Sequence, residues 1–153
     1  MGVSGVGKTT IGRLLAESLG LAYIEGDDYH PPANVAKMAS AVPLEDADRW
    51  PWLERLNEVL KTQKQAVLAC SALKEAYRDR LLAGIDEAYV VHLRGDKALI
   101  AARLAARTHR YMPASLLDSQ LATLEAPRDA ISIDVSAPPA ACVAAIVAAL
   151  GAS

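Results

Sequence analysis

A glycine-rich motif at the start of the chain restricts the possible folds more than any other feature. Residues 2–9 read GVSGVGKT and match the pattern G-x-x-x-x-G-K-[ST] at every fixed position. A loop of this kind connects a strand of a parallel sheet to the helix that follows it. Gly5 and Gly7 let the backbone curl, so that successive N–H groups form an anion-binding nest at a helix N-terminus. The motif therefore predicts an α/β fold with a phosphate site.

Two side chains of the motif are predicted to act on bound phosphates. Lys8 reaches the terminal phosphates of a nucleotide, and the hydroxyl of Thr9 binds Mg²⁺. The alternative is a chance glycine-rich turn before a helix. An apolar stripe from Ile11 to Leu19, ended by Gly20, predicts the helix that a phosphate loop requires. The complete motif and this helix together favour the phosphate site.

The position of the motif within the chain raises a separate expectation. Only Met1 precedes Gly2, whereas the motif normally follows the first, central strand of its sheet. We therefore expect the first strand to be missing before Gly2. One explanation is a nucleotide-binding fragment with impaired phosphoryl transfer; the other is a start codon assigned to an internal methionine. The second explanation is the simpler one.

Two periodicities alternate along the remaining sequence. Short apolar runs typical of buried strands alternate with amphipathic helical segments, and 153 residues suffice for one domain with its own core. We predict a single α/β domain over residues 1–153, with a parallel sheet flanked by helices. A helical insertion spans about 30–62, and a basic lid spans about 107–113. Ligands of such sheets bind beyond the carboxyl ends of the strands, where Asp27, Asp28, Ser71, Lys74, Arg94 and Asp134 follow the predicted strands.

Composition excludes several classes of partner. The net charge is −2, so the chain has no general electrostatic attraction to nucleic acid or to anionic membranes. No apolar run is long enough to span a membrane.

Cys70 and Cys142 lie in apolar runs without disulfide-framework spacing, which predicts buried, reduced thiols in a cytoplasmic protein.

Asp27 and Arg49 are candidates for the acceptor side of a phosphoryl transfer. Asp27 follows the second predicted strand, where a carboxylate can accept the proton of a substrate hydroxyl. Gly-Asp-Asp is also ordinary turn chemistry, and the spacing leaves both interpretations open. Arg49 stands beside two tryptophans that could fix its position, but a surface ion pair with Asp46 or Asp48 explains it equally well.

Two further cationic sets have similar alternatives. Lys74 and Arg78 share one face of a predicted helix and either bind an acidic or polyhydroxy substrate or are surface cations. Arg103 and Arg107 also lie four residues apart, and with Arg110 they either form a mobile arginine lid or a solvated basic face. The residues alone therefore predict a nucleotide-dependent phosphotransferase that acts on a small molecule.

At this point the sequence resembles one family closely, the gluconokinases, which phosphorylate D-gluconate at its 6-hydroxyl with ATP. The resemblance covers residues 1 to about 136 in the family's order. It implies an adenylate- or shikimate-kinase-like P-loop kinase fold with a five-stranded parallel sheet. Other small-molecule P-loop kinases, such as the shikimate kinases, share only the first block and a basic lid and remain the alternative. The matching segments are MGVSGVGKTT, GDDYHPPANVAKM, PLEDADRWPWL, CSALKEAYRD, HLRGDKALIAARLAAR, YMPASLLDSQLATLE and IDVS.

The resemblance also implies roles for individual residues, with ATP and Mg²⁺ as the bound groups, gluconate as the small-molecule substrate, and a homodimer as one possible assembly. The metal ligand is Thr9. The lid departs from the family pattern, because Arg110 occupies the usual histidine position and His109 precedes it. The implied catalytic residues are Lys8, Asp27, Arg103 and Arg107; those that bind ATP are Gly2, Ser4, Gly5, Val6, Gly7, Lys8, Thr9 and Thr10; those that bind gluconate are Asp27, His30, Arg49, Lys74, Arg78 and Gln120.

Overall fold

The computed structural model describes residues 1–106 and 114–152, with the side chains of residues 114 and 115 excepted. In these ranges strands and helices alternate as the sequence predicts, and Gly26–Tyr29 forms a 3₁₀ turn. The strands are β1 (Ala22–Glu25), β2 (Ala66–Ala69), β3 (Val91–Arg94) and β4 (Ile131–Asp134). The helices are α1 (Lys8–Leu19), α2 (Pro32–Ala39), α3 (Asp46–Thr62), α4 (Glu75–Leu82), α5 (Lys97–Ala105), α6 (Ala114–Thr123) and α7 (Pro139–Gly151).

The strands pair in parallel, which confirms the predicted α/β class. β1 pairs with β2 in a register that runs from Ala22 opposite Ala66 to Glu25 opposite Ala69. β3 pairs with β4 from Val91 opposite Ile131 onward. Within each pair, both strands therefore run in the same direction, and their carboxyl ends lie at the same edge. Polar residues that follow β1 and β2 meet at one edge of the first pair.

The expectation of one five-stranded sheet is wrong for the described residues, whose strands form two separate pairs. Met1 and Gly2 connect the pairs: the amine of Met1 donates to the carbonyl of Val91 (2.7 Å), the amide of Leu93 donates to the carbonyl of Met1 (2.9 Å), and the amide of Gly2 donates to Ser71 (3.3 Å). These two residues bond to Val91 and Leu93 of β3 and to Ser71 beyond the end of β2, but not to β2 itself. A continuous ladder needs pairing along the whole length of both strands.

An apolar cleft lies between the two strand pairs, beside Met1. Its volume is about 580 Å³, and its walls include Leu15, Leu68, Leu93 and Ile146. Burial and the nearby Lys8 cation together lower the pKa of the Met1 amine to about 5. The two pairs are thus held together by few backbone hydrogen bonds and mainly by the helices packed on them.

Two hydrophobic clusters form the core, and each supports a different part of the domain. The first gathers around β3, β4, α1, α5 and α7, and it includes Val3 and Val6 of the glycine-rich loop. The second lies under α3 and α4 and centres on Trp52, Leu53 and Leu56, each no more than 3% exposed. Fully burying one such side chain contributes about 1.5–3 kcal/mol. Each cluster therefore anchors the segment that it contains.

Three further observations bear on the sequence predictions. Gly20 adopts a left-handed conformation (φ 66°) and ends α1, as predicted. Cys70 and Cys142 are buried free thiols, and burial raises the pKa of Cys70 to about 12. Among the helices of residues 1–106 and 114–152, none combines the length and hydropathy needed to cross a membrane.

Candidate active site

The glycine-rich loop is fixed from behind by apolar contacts. Val3 and Val6 are buried, and Gly5 has a φ of 84° that side-chain-bearing residues rarely adopt. A Cβ atom built on Gly5 would lie 2.7 Å from Cγ of Leu104 on α5. The loop backbone is therefore pressed against α5, which only glycine permits at this position. The structure thus turns the loop so that Gly7 (φ 100°) caps the start of α1.

Lys8 and Thr9 begin α1, and the N-terminus of a helix favours anions. The ammonium group of Lys8 donates to the carbonyls of Gly2 and Val3, each at 3.0 Å. The hydroxyl of Thr9 donates to a carboxylate oxygen of Glu25 at 2.8 Å. Glu25 is the last residue of β1. The hydroxyl oxygen of Thr9 and a carboxylate oxygen of Glu25 therefore join the loop to the carboxyl end of β1. Oxygen is the ligand atom that Mg²⁺ prefers.

The same carboxylate has a second partner. The hydroxyl of Tyr23 donates to Glu25 at 2.6 Å, and burial together with this hydrogen bond raises the pKa of Tyr23 to about 12. Within the part of the chain that the structure describes, no three His, Cys, Asp or Glu residues form a metal cage. A magnesium ion at this place would accordingly rely on Thr9 and on ligand phosphates, as is usual for nucleotide sites.

Asp27 and His30 stand on the 3₁₀ turn that follows β1 and at its exit. Asp27 is exposed, and one of its carboxylate oxygens lies 3.7 Å from Nε2 of His30. The His30 ring stacks on Trp52 at a centroid distance of 4.1 Å, and Nδ1 of His30 lies 3.2 Å from the amide nitrogen of Asn34. Trp52 in turn donates to the carbonyl of Gly26 at 2.8 Å. Trp52 therefore fixes both the histidine and the backbone that carries Asp27.

The charge state of His30 follows from this packing. Burial lowers its pKa, the neighbouring Arg49 lowers it further, and Asp27 opposes both by attracting the protonated form. His30 is consequently a neutral imidazole near pH 7. Lys8 and Asp27 both act electrostatically on the buried thiol of Cys70, at the end of β2. The loop cation and the turn carboxylate are both therefore near one buried residue.

Arg49 and Lys74 converge on a single carboxylate, that of Asp46. Lys74 lies 3.5 Å from Asp46 and Arg49 lies 3.9 Å from it, and the hydroxyl of Tyr77 donates to the same carboxylate. Arg49 also donates to Tyr77 (3.2 Å) and to the carbonyl of Leu44 (2.7 Å). The Tyr77 hydrogen bond holds the pKa of Asp46 below its usual range, and burial with Asp46 raises the pKa of Tyr77 to about 12. The surface ion pair expected for Arg49 exists, within a larger cationic cluster.

Arg78 has a different environment from Lys74, although the two share one predicted helix face. Its guanidinium is buried and donates to the carbonyls of Ala72 (2.8 Å), Leu73 (3.2 Å) and Glu125 (2.8 Å). In this conformation Arg78 fixes the backbone of the segment that carries Lys74. Its direct contact with a substrate stays a prediction.

Gln120 also lies away from the Arg49 cluster. From α6 it contacts the glycine-rich loop, where its side-chain oxygen accepts from the amide of Ser4 (2.8 Å) and its nitrogen donates to the hydroxyl of Ser4 (3.1 Å). Thr10 is exposed on the first turn of α1, and its contact with ATP stays a prediction. The structure places Gln120 against the glycine-rich loop, and its contact with gluconate also stays a prediction.

Only one of the two lid arginines can be placed. Arg103 on α5 donates to the carbonyl of Val135, which directly follows β4, at 2.5 Å. Arg107, Arg110 and the predicted lid at 107–113 lie outside the described residues. The lid prediction is therefore still a prediction, bounded in sequence by the end of α5 and the start of α6.

Three residues of the site were not identified from the sequence, namely Glu25, Asn34 and Tyr77, and Trp52, which the sequence assigns to Arg49, stacks on His30 instead. Both aromatic residues carried a signal, because Trp52 follows Arg49 by three residues and Tyr77 follows Lys74 by three. Residues three apart lie on one helix face. On α3 and at the start of α4, a polar candidate therefore indicates that the aromatic residue three positions later also lies at the site. Glu25 and Asn34 gave no comparable signal.

With this geometry established, comparisons with known proteins locate the chain in a family. The family model for shikimate kinase matches residues 4–136. A gluconokinase of Gluconobacter oxydans is 51% identical over 84% of this chain and 75% of its own length. The thermosensitive gluconokinase of Escherichia coli is 43% identical over 89% of this chain and 77% of its own length.

A solved structure agrees with these relatives. The crystal structure of a gluconokinase from Sinorhizobium meliloti superposes with a TM-score of 0.92 at 44% identity, covering 99% of this chain and 89% of that chain. Similarity at this level extends over both the glycine-rich loop and the Arg49–Lys74 cluster. The chain therefore belongs to the gluconokinase family, within the wider P-loop kinase group that the shikimate kinase model describes.

Proposed function

We propose that the protein transfers the γ-phosphoryl group of ATP to the 6-hydroxyl of D-gluconate and forms 6-phospho-D-gluconate. One observation carries this proposal furthest. Arg49 and Lys74 present two cations toward a single carboxylate, and Arg49 acts electrostatically on His30, at the exit of the turn that carries Asp27. An acceptor with a carboxylate at one end and a hydroxyl at the other matches this arrangement. The close similarity to gluconokinases supports the same acceptor.

On the nucleotide side, the backbone of residues 2–10 surrounds the ATP phosphates. Donors from the loop and from the start of α1 stabilise charge on the β- and γ-phosphates. Lys8 exchanges its contacts with Gly2 and Val3 for the phosphates. Thr9 would hold the magnesium ion, with Glu25 beside it. When bound, Mg²⁺ neutralises part of the charge on the phosphates.

On the acceptor side, Asp27 accepts the proton of the 6-hydroxyl as its oxygen forms a bond to the γ-phosphorus. The bond from that phosphorus to the bridging oxygen breaks, and ADP leaves. Neutral His30, held against Trp52, binds a substrate hydroxyl. Arg49 and Lys74 bind the gluconate carboxylate in exchange for Asp46. Arg103 and Arg107 stabilise charge on the transferring group, while Arg78 and Gln120 support the two walls.

A coupled assay of ADP formation tests the proposal directly. Purified protein is supplied with ATP, Mg²⁺ and, in turn, gluconate, other sugar acids, neutral glucose and shikimate. We expect turnover with gluconate, together with a phosphorylated product resistant to oxidation at C6. Turnover of shikimate with gluconate inert would establish another small-molecule kinase. ATP binding without turnover of any acceptor would support the alternative of an impaired nucleotide-binding protein.

A further inference from the structure

A short segment at the end of α6 contacts both sides of the proposed active site. Gln120 on this helix is paired with Ser4 of the glycine-rich loop through two hydrogen bonds, across 116 positions of sequence. Both hydrogen-bonding atoms of the Gln120 amide are used. Since one of these bonds takes the backbone N–H of Ser4, the glutamine fixes the loop backbone itself and not merely a side chain.

Five residues later, Glu125 contacts the opposite wall through three hydrogen bonds. Its amide donates to the carbonyl of Leu73 (2.8 Å), and its carboxylate accepts from the amide of Glu75 at the start of α4 (2.9 Å). Its carbonyl accepts from the guanidinium of Arg78 (2.8 Å). Leu73 and Glu75 stand on either side of Lys74 in the sequence, and Arg78 follows it by one helical turn. The position of Lys74 therefore depends on Glu125.

The connection between the two anchors is short and packed. The amide of Leu124 donates to the carbonyl of Gln120 (2.9 Å), which closes the last turn before Glu125. Leu117 is only 2% exposed, and Leu121 and Leu124 pack against the core cluster that contains Val3 and Val6. Residues 120–125, which we call the α6 strut, are thus held against the core and bonded at each end to a different half of the site.

We propose that the α6 strut sets the separation between the phosphate loop and the Lys74 wall, and that Gln120 and Glu125 are positioning residues for phosphoryl transfer. This inference rests on the proposed function for its substrates, but not for its geometry. Transfer requires the attacking oxygen and the phosphorus to approach to about 3–3.5 Å, and an error of about 1 Å costs about 10² in rate. Neither residue needs to contact ATP or gluconate to control that distance.

Kinetic constants distinguish positioning from binding. In Gln120→Ala and Glu125→Ala we expect kcat to fall about 10–100-fold, with the KM for gluconate and the Kd for ATP nearly unchanged. Gln120→Glu keeps the acceptor for the Ser4 amide and should recover part of kcat. Ser119→Ala, an exposed neighbour on α6, is the matched control and should retain wild-type kinetics.

Hydrogen exchange provides a readout that needs no acceptor. Binding of a non-hydrolysable ATP analogue should slow amide exchange over residues 73–82 in the wild type and in Ser119→Ala, and this slowing should be lost in Gln120→Ala. Absence of the slowing in the wild type, or its persistence in Gln120→Ala, would overturn the strut. A rise in the Kd for ATP with kcat intact would mean that Gln120 supports only the nucleotide loop, which would overturn its positioning role. Wild-type protein inert toward gluconate but showing the exchange effect would instead refute only the proposed acceptor.

Discussion

The phosphate loop (residues 2–9) and the acceptor wall (Asp27, His30, Arg49, Lys74 and their partners) are built from different parts of the chain. The loop consists of eight consecutive residues, and its geometry comes from backbone conformation, including left-handed glycines at positions 5 and 7. The wall combines residues from the turn after β1, from α3 and from the start of α4. Its geometry comes from side chains, such as the stack of His30 on Trp52 and the bonds of Tyr77 to Asp46 and Arg49.

This difference determines what each region tolerates. A backbone site fails when a side chain is added, because the conformation itself changes. A side-chain site fails when a charge or hydrogen bond is removed, and each group can be changed by itself. We therefore expect the wall to show large, separable effects on acceptor chemistry, and the loop to show joint effects on folding and on nucleotide binding.

The largest effect should come from the proposed base of the acceptor wall. Asp27→Asn keeps the shape of the side chain but removes the proton acceptor, so we expect kcat to fall by about 10²–10⁴-fold. The Kd for ATP should remain within about twofold, since only the wall has been changed. Asp28→Asn removes an adjacent exposed carboxylate and is the control. Steady-state kinetics of both variants make the comparison; equal losses in the two would remove Asp27 from its role.

The loop should respond instead to an added methyl group. Gly5→Ala forces a residue with Cβ into φ 84° and places that atom against Leu104, whereas Gly20→Ala meets the left-handed strain with open space around it. The strain costs about 1–2 kcal/mol in each variant. Overpacking adds about 1–3 kcal/mol in Gly5→Ala alone. Thermal unfolding and ATP titration of both measure the difference.

If the two glycine variants unfold alike and bind ATP alike, the contact between the loop and α5 is unimportant. A selective loss of ATP affinity in Gly5→Ala would instead show that α5 sets the loop conformation. Either result refers only to the loop, because the acceptor wall belongs to the other core cluster.

A smaller effect is expected at Asp46, whose carboxylate neutralises the cations of the acceptor wall. Asp46→Asn removes the carboxylate that Arg49, Lys74 and Tyr77 share. Because the substrate carboxylate then competes with no internal carboxylate, the KM for gluconate should fall by up to about fivefold, the scale of an exposed ion pair. Asp79→Asn, which removes an exposed carboxylate from α4, is the control. A higher KM in Asp46→Asn would mean that Asp46 binds the substrate itself.

The same contrast explains how much of the molecule the sequence predicts. The loop lies in one continuous segment with a fixed pattern, so its glycines, Lys8 and the start of α1 are all confirmed as local structure. The alternation of strands and helices is equally local, because each element shows its own periodicity. The five-stranded sheet that the resemblance implies is wrong, because Met1 and Gly2 connect the two strand pairs through backbone hydrogen bonds but do not form a continuous ladder between them.

The acceptor wall could be predicted only in part. The residue pattern predicts Asp27, Arg49 and Lys74 as candidates and the resemblance adds His30, but spacing alone could not distinguish substrate contacts from surface ion pairs. Partners that lie far apart in sequence decide that question. Gln120 and Arg78 show this most clearly, because each is polar and correctly spaced on a helix, yet their partners are backbone groups that no periodicity reveals.

The smallest effect concerns protonation, which also separates the two regions. The wall contains His30, with only 3% of its side chain exposed, while residues 2–9 of the loop include no histidine. Burial lowers the pKa of His30 from 6.5 in the folded state. As the pH falls through 6.5, the unfolded chain therefore binds a proton that the folded chain does not, and the free energy of unfolding decreases. Below the lowered folded pKa the decrease stops.

Thermal unfolding between pH 5.5 and 7.5 in the wild type and in His30→Gln measures this contribution. His92, which is also buried with a lowered pKa, and the Met1 amine, whose pKa is lowered to about 5, titrate in both proteins and provide a common background. Glutamine can still accept a hydrogen bond from Asn34 but does not titrate. The slope of the thermal midpoint against pH should therefore be shallower in His30→Gln, by a few degrees at most over this range. Identical slopes would mean that His30 is solvated in the free protein and that Trp52 does not hold it in the wall.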